Sequence, residues 1–167
     1  MTEDLKNKIA RAKELLFTSR HIALATVNED GSPHNTPLRL LYDSKLEHIY
    51  FASKPDSLHT QNALRTGQIF AVIFDRVEKG GTGLYLRCDG AEELAGPQEE
   101  EGLRIHNSFR AREGSEPLPS SFYDGDSQMK MYRAKIKQFW INYMEKDASG
   151  RIIRDGRWEI AAQDLLE

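Results

Sequence analysis

Two serines, a lysine and a histidine lie close together in one stretch of the 167-residue sequence. They are Ser53, Lys54, Ser57 and His59. Hydroxyl groups donate hydrogen bonds to anionic oxygens, while lysine and protonated histidine supply positive charge. This set of side chains is typical of a phosphate site, provided that the chain brings backbone amides to the same place.

The elements around these side chains are a strand that ends and a helix that begins. The β-branched and aromatic run at residues 49–52 predicts the strand. Pro55 ends it, and Asp56 or Ser57 can cap a helix that runs to about Arg65. Free amides and the helix dipole at such a junction both favour an anion. An ordinary capped connection without a ligand is the alternative interpretation.

The composition is that of an ordinary globular protein. Its length and its 39% hydrophobic content predict a single domain over residues 1–167. The net charge of −3 gives no reason to expect nucleic acid or an acidic membrane as a partner. The single cysteine, Cys88, fits a reducing compartment, and no apolar run approaches the ~20 residues that span a bilayer. We therefore expect a cytoplasmic protein.

The chain up to the central junction reads as a helix followed by three antiparallel strands. The predicted elements are a helix at residues 3–18 capped by Thr2, a strand at 21–27, a turn at Asp30-Gly31, a strand at 34–42, and a strand that begins at His48. A short polar connection at residues 43–47 makes the last two strands neighbours.

The chain after the junction supplies further strands and one long helix. The predicted elements are a strand at 68–74, a polar connection at 75–82, a strand at 83–94 with a bulge at Asp89-Gly90, a helix at 97–112, a loop at 114–126, a strand at 129–144, and a last strand at 152–160 before a short helical tail. Because residues 68–74 are apolar on both faces, we expect them to form the most buried strand.

Side-chain alternation assigns the faces of the strand at 129–144. One face carries Tyr132, Ala134, Ile136, Gln138 and Trp140, and the other carries Lys135, Lys137 and Phe139. About seven strands in antiparallel order, without βαβ alternation, predict a mainly β (α+β) barrel with flanking helices.

Most familiar functional motifs are missing from the sequence. It has no GxGxxG, Walker lysine loop, HExxH or CxxC. The five histidines show no spacing that would place two ligands on one face, so no metal site is predicted. No serine lies in a nucleophile elbow, and no catalytic side chain can be identified.

The order of elements and short motifs resembles the pyridoxamine 5'-phosphate oxidase-like FMN-binding split barrels. The resemblance rests on the turn at residues 30–34, the strands at 36–41 and 49–53, and the helix at 57–64. It is good over residues 3–95, and looser through 129–140 and 157–159. It implies an antiparallel split β-barrel of six to seven strands, a homodimer, and FMN in a cleft between the subunits.

The resemblance also assigns residues to the cofactor. The flavin ring would lie along Pro37, Leu38, Arg39, Leu40 and Leu41, whose backbone groups would meet its polar edge. The phosphate would lie near the end of the next strand and the start of the helix, at Phe51, Ala52, Ser53, Lys54, Ser57 and His59. Alternation leaves Arg39 pointing either to the flavin rim or to solvent. We also expect a monomer to expose Leu38, Leu40 and Leu41.

Three departures from the family pattern bear on function. Leu58-His59 stands where relatives often have Arg-Lys, and Tyr85 stands where a flavin-contacting glutamine would be. No arginine-histidine pair of the kind that holds pyridoxal phosphate is visible near the C-terminus, so a true pyridoxamine phosphate oxidase is not expected.

The resemblance leaves two functions open. An FMN-dependent oxidoreductase is the first. A non-catalytic flavin- or tetrapyrrole-binding dimeric module, or a split barrel that has lost its cofactor, is the alternative. In the first case a phosphate dianion should raise the pKa of His59 and make FMN affinity depend on pH.

Overall fold

The computed structural model describes residues 3–75, 83–123 and 127–167, which form a sheet with helices packed around it. The helices are α1 (Glu3–Thr18), α2 (Leu58–Thr66), α3 (Pro97–Arg112) and α4 (Ala162–Leu166), with a 3₁₀ turn at Ser120–Phe122. The strands are β1 (His21–Val27), β2 (Pro33–Arg39), β3 (Leu41–Tyr42), β4 (His48–Ser53), β5 (Gln68–Phe74), β6 (Gly83–Glu93), β7 (Lys130–Lys146) and β8 (Ile152–Ile160).

One short piece of chain joins the two ends of the strand order. Its strand order is β2-β1-β5-β6-β7-β4-β3, all neighbours are antiparallel, and β8 also pairs with β7. The two ends of this order, β2 and β3, are consecutive segments joined at Leu40, whose amide donates to the Arg20 carbonyl at 3.0 Å. β2 pairs only with β1 in the described chain, so a seam stays open between β2 and β4. The split-barrel prediction is confirmed.

The predicted helices agree closely with the structure. α1 and α3 have the expected bounds, and α2 ends at Gly67 in the left-handed conformation, with φ of 65°. The proposed cap Thr2 and the predicted segments 76–82 and 124–126 lie outside the described residues. The described part of the predicted loop is held on α3, where the Asn107 side chain bonds the Leu118 amide and carbonyl at 2.7 and 3.1 Å.

Two bulges set which residues of β6 and β7 face the interior. Gly90, with φ of +68°, lies where β6 has an extra residue against β7, as predicted. The second bulge was not predicted: Lys137 is an extra residue in β7 opposite Arg87 and Cys88. It reverses the alternation, so Phe139 is buried in the core and Trp140 lies on the outer face. The predicted assignment of these two side chains was wrong, and so was that of Gln138, which lies opposite the exposed Arg87.

The expectation that β5 is the most buried strand was also wrong. Ile69 and Ile73 are buried, but Phe70 is half-buried and Phe74 is 59% exposed. No helix covers this side of the sheet in the described chain, because α1 and α2 pack against the inner core. The outer face of β5, which carries Phe70 and Phe74, is therefore an aromatic surface open to solvent.

Two hydrophobic clusters lie on opposite sides of the barrel wall. The larger one fills the barrel and includes Leu40, Phe51 and the α1 residues Leu15 and Leu16. The smaller one lies under α3 and includes Leu41. Since Leu40 and Leu41 are each 1% exposed, the expected exposure of these leucines in a monomer was wrong. Leu38 packs partly buried against the larger cluster.

Candidate functional site

Three of the predicted residues meet at the end of β4 and the start of α2. The Ser53 hydroxyl lies 2.5 Å from the Ser57 hydroxyl and 2.8 Å from Nε2 of His59. Ser57 also contacts the Thr60 hydroxyl at 3.0 Å and donates to the Lys54 carbonyl at 2.6 Å. Because eight consecutive residues supply all of these groups, a strand ending at Ser53 and a helix starting at Leu58 are sufficient to assemble them.

The hydrogen bonds fix where the protons lie. Ser57 has one hydroxyl proton, which it donates in a hydrogen bond to the Lys54 carbonyl. The short contact between the serines then requires Ser53 to donate to Ser57, which leaves the Ser53 oxygen as an acceptor. His59 therefore donates to Ser53 through Nε2. The serines are bound to each other and the histidine, and their protons are available to a ligand only after this chain of bonds rearranges.

The first turn of α2 has unused donors. Ser57 is the N-cap residue, yet its side chain makes no capping hydrogen bond, and neither does that of Asp56. The prediction that one of them caps the helix amides was wrong. In the described chain the amides of Leu58, His59 and Thr60 have no acceptor, and the first helical bond is from Gln61 to the Ser57 carbonyl at 3.0 Å. Three amide donors and the positive end of the helix dipole point to one place.

The electrostatics of the site depend on histidine. Burial lowers the pKa of His59, and electrostatic repulsion between His59 and His34 on β2 lowers it further. His59 is therefore mainly neutral at pH 7 in the protein without a ligand. Lys54 is exposed, and Arg65 at the far end of α2 is bound to the Val27 carbonyl. An anion at this site would consequently meet amides, hydroxyls and the His59 imidazole, with the exposed Lys54 beside them.

The predicted flavin-lining segment runs beside this cluster. Leu41 pairs with Tyr50 and Tyr42 with Ile49, so the chain just before β3 approaches the Phe51 end of β4. The side chains of Leu40, Leu41 and Phe51 are buried in the two hydrophobic clusters. They can offer a ligand only backbone groups, and the free edge of β2 at the seam is where such groups are available.

The remaining residues of this segment differ in environment. Pro37 is exposed and Ala52 is half-buried against the smaller cluster. Arg39 points to the α3 side, and its guanidinium lies 2.5 Å from the Glu113 carboxylate, whose pKa this bond lowers. An ion pair is a third arrangement that strand alternation alone did not predict.

Tyr85 lies on the outer face of the sheet. Its ring is 6.0 Å from that of Phe70, and the Arg157 guanidinium lies 3.9 Å above it. Ser53 and His59 lie at the start of α2, and Ala63 of this helix packs into the core. The structure thus brings Ser53, Ser57 and His59 together and places Tyr85 on a different surface of the same chain.

Two residues of the site were missed from the sequence. Thr60 extends the hydroxyl chain, and its spacing from Ser57 is one helical turn, which could have identified it. His34 alternates with Thr36 and Leu38, which are partly buried like His34. That pattern predicts a shared face, but only the tertiary fold brings His34 near His59. No helix in the described ranges is long and apolar enough to span a membrane.

Comparisons with known proteins agree with this architecture. A family model described as pyridoxamine 5'-phosphate oxidase matches residues 9–143. No curated protein matches the chain. A Clostridium acetobutylicum protein related to general stress protein 26 of B. subtilis superposes with a TM-score of 0.61 at 16% identity, covering 93% of this chain and 96% of that one.

Two other solved structures carry different functions on the same fold. A heme binding protein from Mycobacterium smegmatis has a TM-score of 0.63 at 12% identity, covering 95% of this chain and 60% of its own. An F420 reductase has a TM-score of 0.56 at 15% identity, covering 76% and 94%. At these identities the likeness shows the fold alone.

Proposed function

The chain belongs to the pyridoxamine 5'-phosphate oxidase family, and from this premise we propose that it binds FMN with the phosphate at the start of α2. The three free amides of Leu58, His59 and Thr60 are the observation that carries the proposal. They are oriented for an anion, and the hydroxyls of Ser53 and Ser57 lie beside them. Lys54 and His59 supply charge.

The flavin ring is proposed to lie in the seam between β2 and β4. Backbone groups of residues 37–41, on the free edge of β2 and the connection from β2 into β3, would bond the polar edge of the ring. The buried side chains of Leu40 and Phe51 hold this backbone in place from inside the barrel. Their role is to position the strand, so we expect truncating them to cost stability before it costs contacts with the cofactor.

We propose a homodimer in which the second subunit completes the site. The support is the location of Tyr85, which lies on the outer sheet face and could meet a flavin only in another chain. The outer face around it carries Phe70, Trp140 and the exposed Phe74, and such an aromatic surface is typical of a subunit interface.

FMN, when bound, supplies hydride or single-electron transfer, and the chain supplies binding and orientation. An FMN-dependent oxidoreductase is therefore the proposed activity, and the F420 reductase of the same fold is a precedent at the level of the fold. The rival is a non-catalytic flavin- or tetrapyrrole-binding module, for which the heme binding protein is the corresponding precedent. The buried free thiol of Cys88 supports a cytoplasmic location.

Parallel titrations with FMN and riboflavin test the proposal. The two flavins differ only in the phosphate, so the protein should quench FMN fluorescence with roughly 10-fold or higher affinity than riboflavin. Ser53→Ala should reduce this preference, whereas Ser44→Ala, an exposed serine on the β3–β4 connection, should leave it unchanged. Equal affinity for both flavins would place the phosphate elsewhere, and no binding of either would reject FMN as the cofactor.

Two further measurements separate the remaining parts of the proposal. Sedimentation of the FMN complex at micromolar concentration should give a dimer, and a monomer would remove Tyr85 from the site. Oxidation of NADH or NADPH with bleaching of the visible flavin absorbance supports the oxidoreductase, while hemin binding that displaces FMN supports the rival.

A further inference from the structure

A groove runs along the exposed face of α2, between this helix and the turn after β1. It has a volume of about 850 Å³ and is lined by Asn28, Glu29, Asp30, Leu58, Gln61, Asn62 and Arg65. This volume is within the range of small-molecule sites. The groove begins at Leu58, whose amide is one of the three free donors at the proposed phosphate site. A ligand held by its phosphate at these amides could therefore extend into the groove.

The two walls of the groove are joined by hydrogen bonds between the helix and the end of β1. The buried Asn62 side chain donates to the Asn28 side chain at 2.8 Å and to the Thr26 hydroxyl at 3.3 Å. Arg65 donates to the Val27 carbonyl. These bonds fix the distance between the walls, so the groove is formed before any ligand binds.

Several groups that line the groove are not used by the fold. Across the described ranges, neither the Glu29 carboxylate nor the Gln61 side-chain amide has a hydrogen-bond partner. Asp30 accepts from the Ser32 amide and hydroxyl at 2.9 and 2.6 Å, both through Oδ1, which leaves Oδ2 free to accept. Leu58 is 46% exposed. The groove thus combines anionic acceptors, one side-chain amide and an apolar surface.

We propose that this groove binds the adenosine of FAD, so that the protein binds FAD more tightly than FMN. The inference rests on the proposed phosphate site, because the phosphates would join flavin and adenosine at the start of α2. Glu29 and Asp30 would accept hydrogen bonds from the ribose hydroxyls, as acidic residues do in dinucleotide sites. The Gln61 amide matches the adenine edge, which presents a donor beside an acceptor. Leu58 would pack against the ring.

The charge of the groove favours this occupant over other extensions. A tail of carboxylates, or a further phosphate, would meet the carboxylates of Glu29 and Asp30, while Arg65 is already bound to the Val27 carbonyl. Adenosine is uncharged at pH 7. Both phosphates of FAD lie between its flavin and its adenosine, so they would stay with the helix amides and the exposed Lys54. A neutral nucleoside is therefore the extension that this groove fits.

Calorimetric titrations of the full chain with FMN and FAD test the inference. The wild type should bind FAD roughly 10-fold or more tightly than FMN, because the adenosine adds several hydrogen bonds. Gln61→Trp fills the groove from an exposed position, so it should remove this preference and leave FMN affinity within about twofold. Glu29→Gln should reduce the preference by roughly fivefold. Gln98→Trp and Glu47→Gln, at exposed positions outside the groove, are the matched controls and should keep it.

Each other result rejects the adenosine site. FAD affinity equal to or weaker than FMN affinity overturns the inference, and so does a preference for FAD that survives both groove variants. Variants that weaken FMN and FAD equally also overturn it, since they would act on α2 and not on adenosine. The proposed function is scored separately by the preference for FMN over riboflavin. If that preference is present while FAD gains nothing over FMN, the phosphate site stands and the adenosine site is rejected.

Discussion

The two helices α2 and α3 begin in opposite ways. α3 starts with Pro97, which has no amide proton, followed by Glu99 and Glu100 in the first turn, and the Glu99 amide bonds the Gly96 carbonyl at 3.0 Å. α2 has no acid in its first turn and three amides without acceptors. The start of α3 is thus neutralised by its own residues, while the start of α2 keeps free amides and the positive end of the dipole, which is where we propose that an anion binds.

Their histidines differ in the same sense. His106 on α3 is 8% exposed and sealed against the Tyr123 hydroxyl at 2.5 Å. His59 on α2 is half-buried, and its Nε2 bonds the Ser53 hydroxyl at 2.8 Å. One helix is closed by internal contacts and the other is open at the point where a ligand could bind. The comparison indicates that backbone amides without an acceptor distinguish a helix start that could bind an anion from one that could not.

Placing an acid at the start of α2 should have the largest effect. His59→Glu would give α2 the kind of carboxylate that α3 already has, so FMN affinity should fall by about 3 kcal/mol, roughly 100-fold. The protein without flavin should become more stable by about 0.3–1 kcal/mol, because the carboxylate favours the helix dipole. Fluorescence titration and urea unfolding measure the two changes. His59→Gln is the neutral control, and equal losses of FMN and riboflavin affinity would contradict the phosphate assignment.

The buried His106 of α3 should make the stability of the protein sensitive to acid. Burial lowers the pKa of His106 to about 4. Because the folded pKa lies below the unfolded value of about 6.5, stability is fully present above pH 6.5 and is lost as pH falls toward 4. At pH 5 the loss should be about 2 kcal/mol. The lowered pKa of His59 acts in the same direction.

Urea unfolding at pH 7 and pH 5 measures this loss. His106→Gln should reduce the difference between the two pH values, even if removing the Tyr123 contact lowers stability at both. His21→Gln, at an exposed position on β1, is the matched control and should keep the wild-type difference. An unchanged difference in His106→Gln would assign the acid sensitivity to other groups.

The half-buried His59 of α2 should instead make the affinity for FMN depend on pH. His59 has a lowered pKa in the free protein, and a phosphate dianion would raise it, so binding takes up a proton. FMN affinity should therefore tighten by up to about tenfold per pH unit as pH falls from 8 to 6.5. Below that, protonation of the phosphate, with pKa near 6, offsets the gain.

His59→Lys replaces the titratable charge by a permanent one. It should flatten the pH dependence and tighten FMN binding at pH 8. FMN titrations of both proteins at pH 8 and 6.5 decide the matter. If wild type and variant show the same affinity and the same slope, His59 is a solvated helix-start residue without a ligand.

The smallest effect is expected at Arg39. Its guanidinium already has the Glu113 carboxylate as a partner, with both groups partly exposed. Arg39→Ala should lower the free energy of unfolding by at most about 1 kcal/mol, and Glu113→Gln should do the same. FMN affinity should stay within about twofold in both variants. A loss near 1.5–3 kcal/mol in Arg39→Ala alone would show that the side chain contacts the cofactor.

The parts of the molecule that local sequence determines could be predicted. Ser53, Ser57 and His59 lie within seven residues, so a strand end and a helix start were enough to join them. The bounds of α3 followed from Pro97 and the apolar spacing after it. The bulge at Gly90 also had a marker, because glycine accepts its positive φ.

The parts that failed depend on contacts between distant segments. The bulge at Lys137 has no glycine to mark it and is fixed by its pairing with β6. Arg39 and Glu113 are 74 positions apart, and the chain gives no local sign that they meet. The apolar pattern of β5 could not reveal that its outer face lacks a covering helix, since the same residues suit a core or a subunit interface.

The bulge at Lys137 also constrains how this protein can change in length. Deleting this one residue would leave Ile136 opposite Cys88 and Gln138 opposite Arg87 in a regular ladder, so Phe139 and Ile141 would stay in the core. Insertions in the turn at residues 147–151 would also leave both faces of the hairpin unchanged, because both strands end there. Among homologous chains we therefore expect gaps and insertions to accumulate at the hairpin tip and, within the middle of β7, at the bulge position.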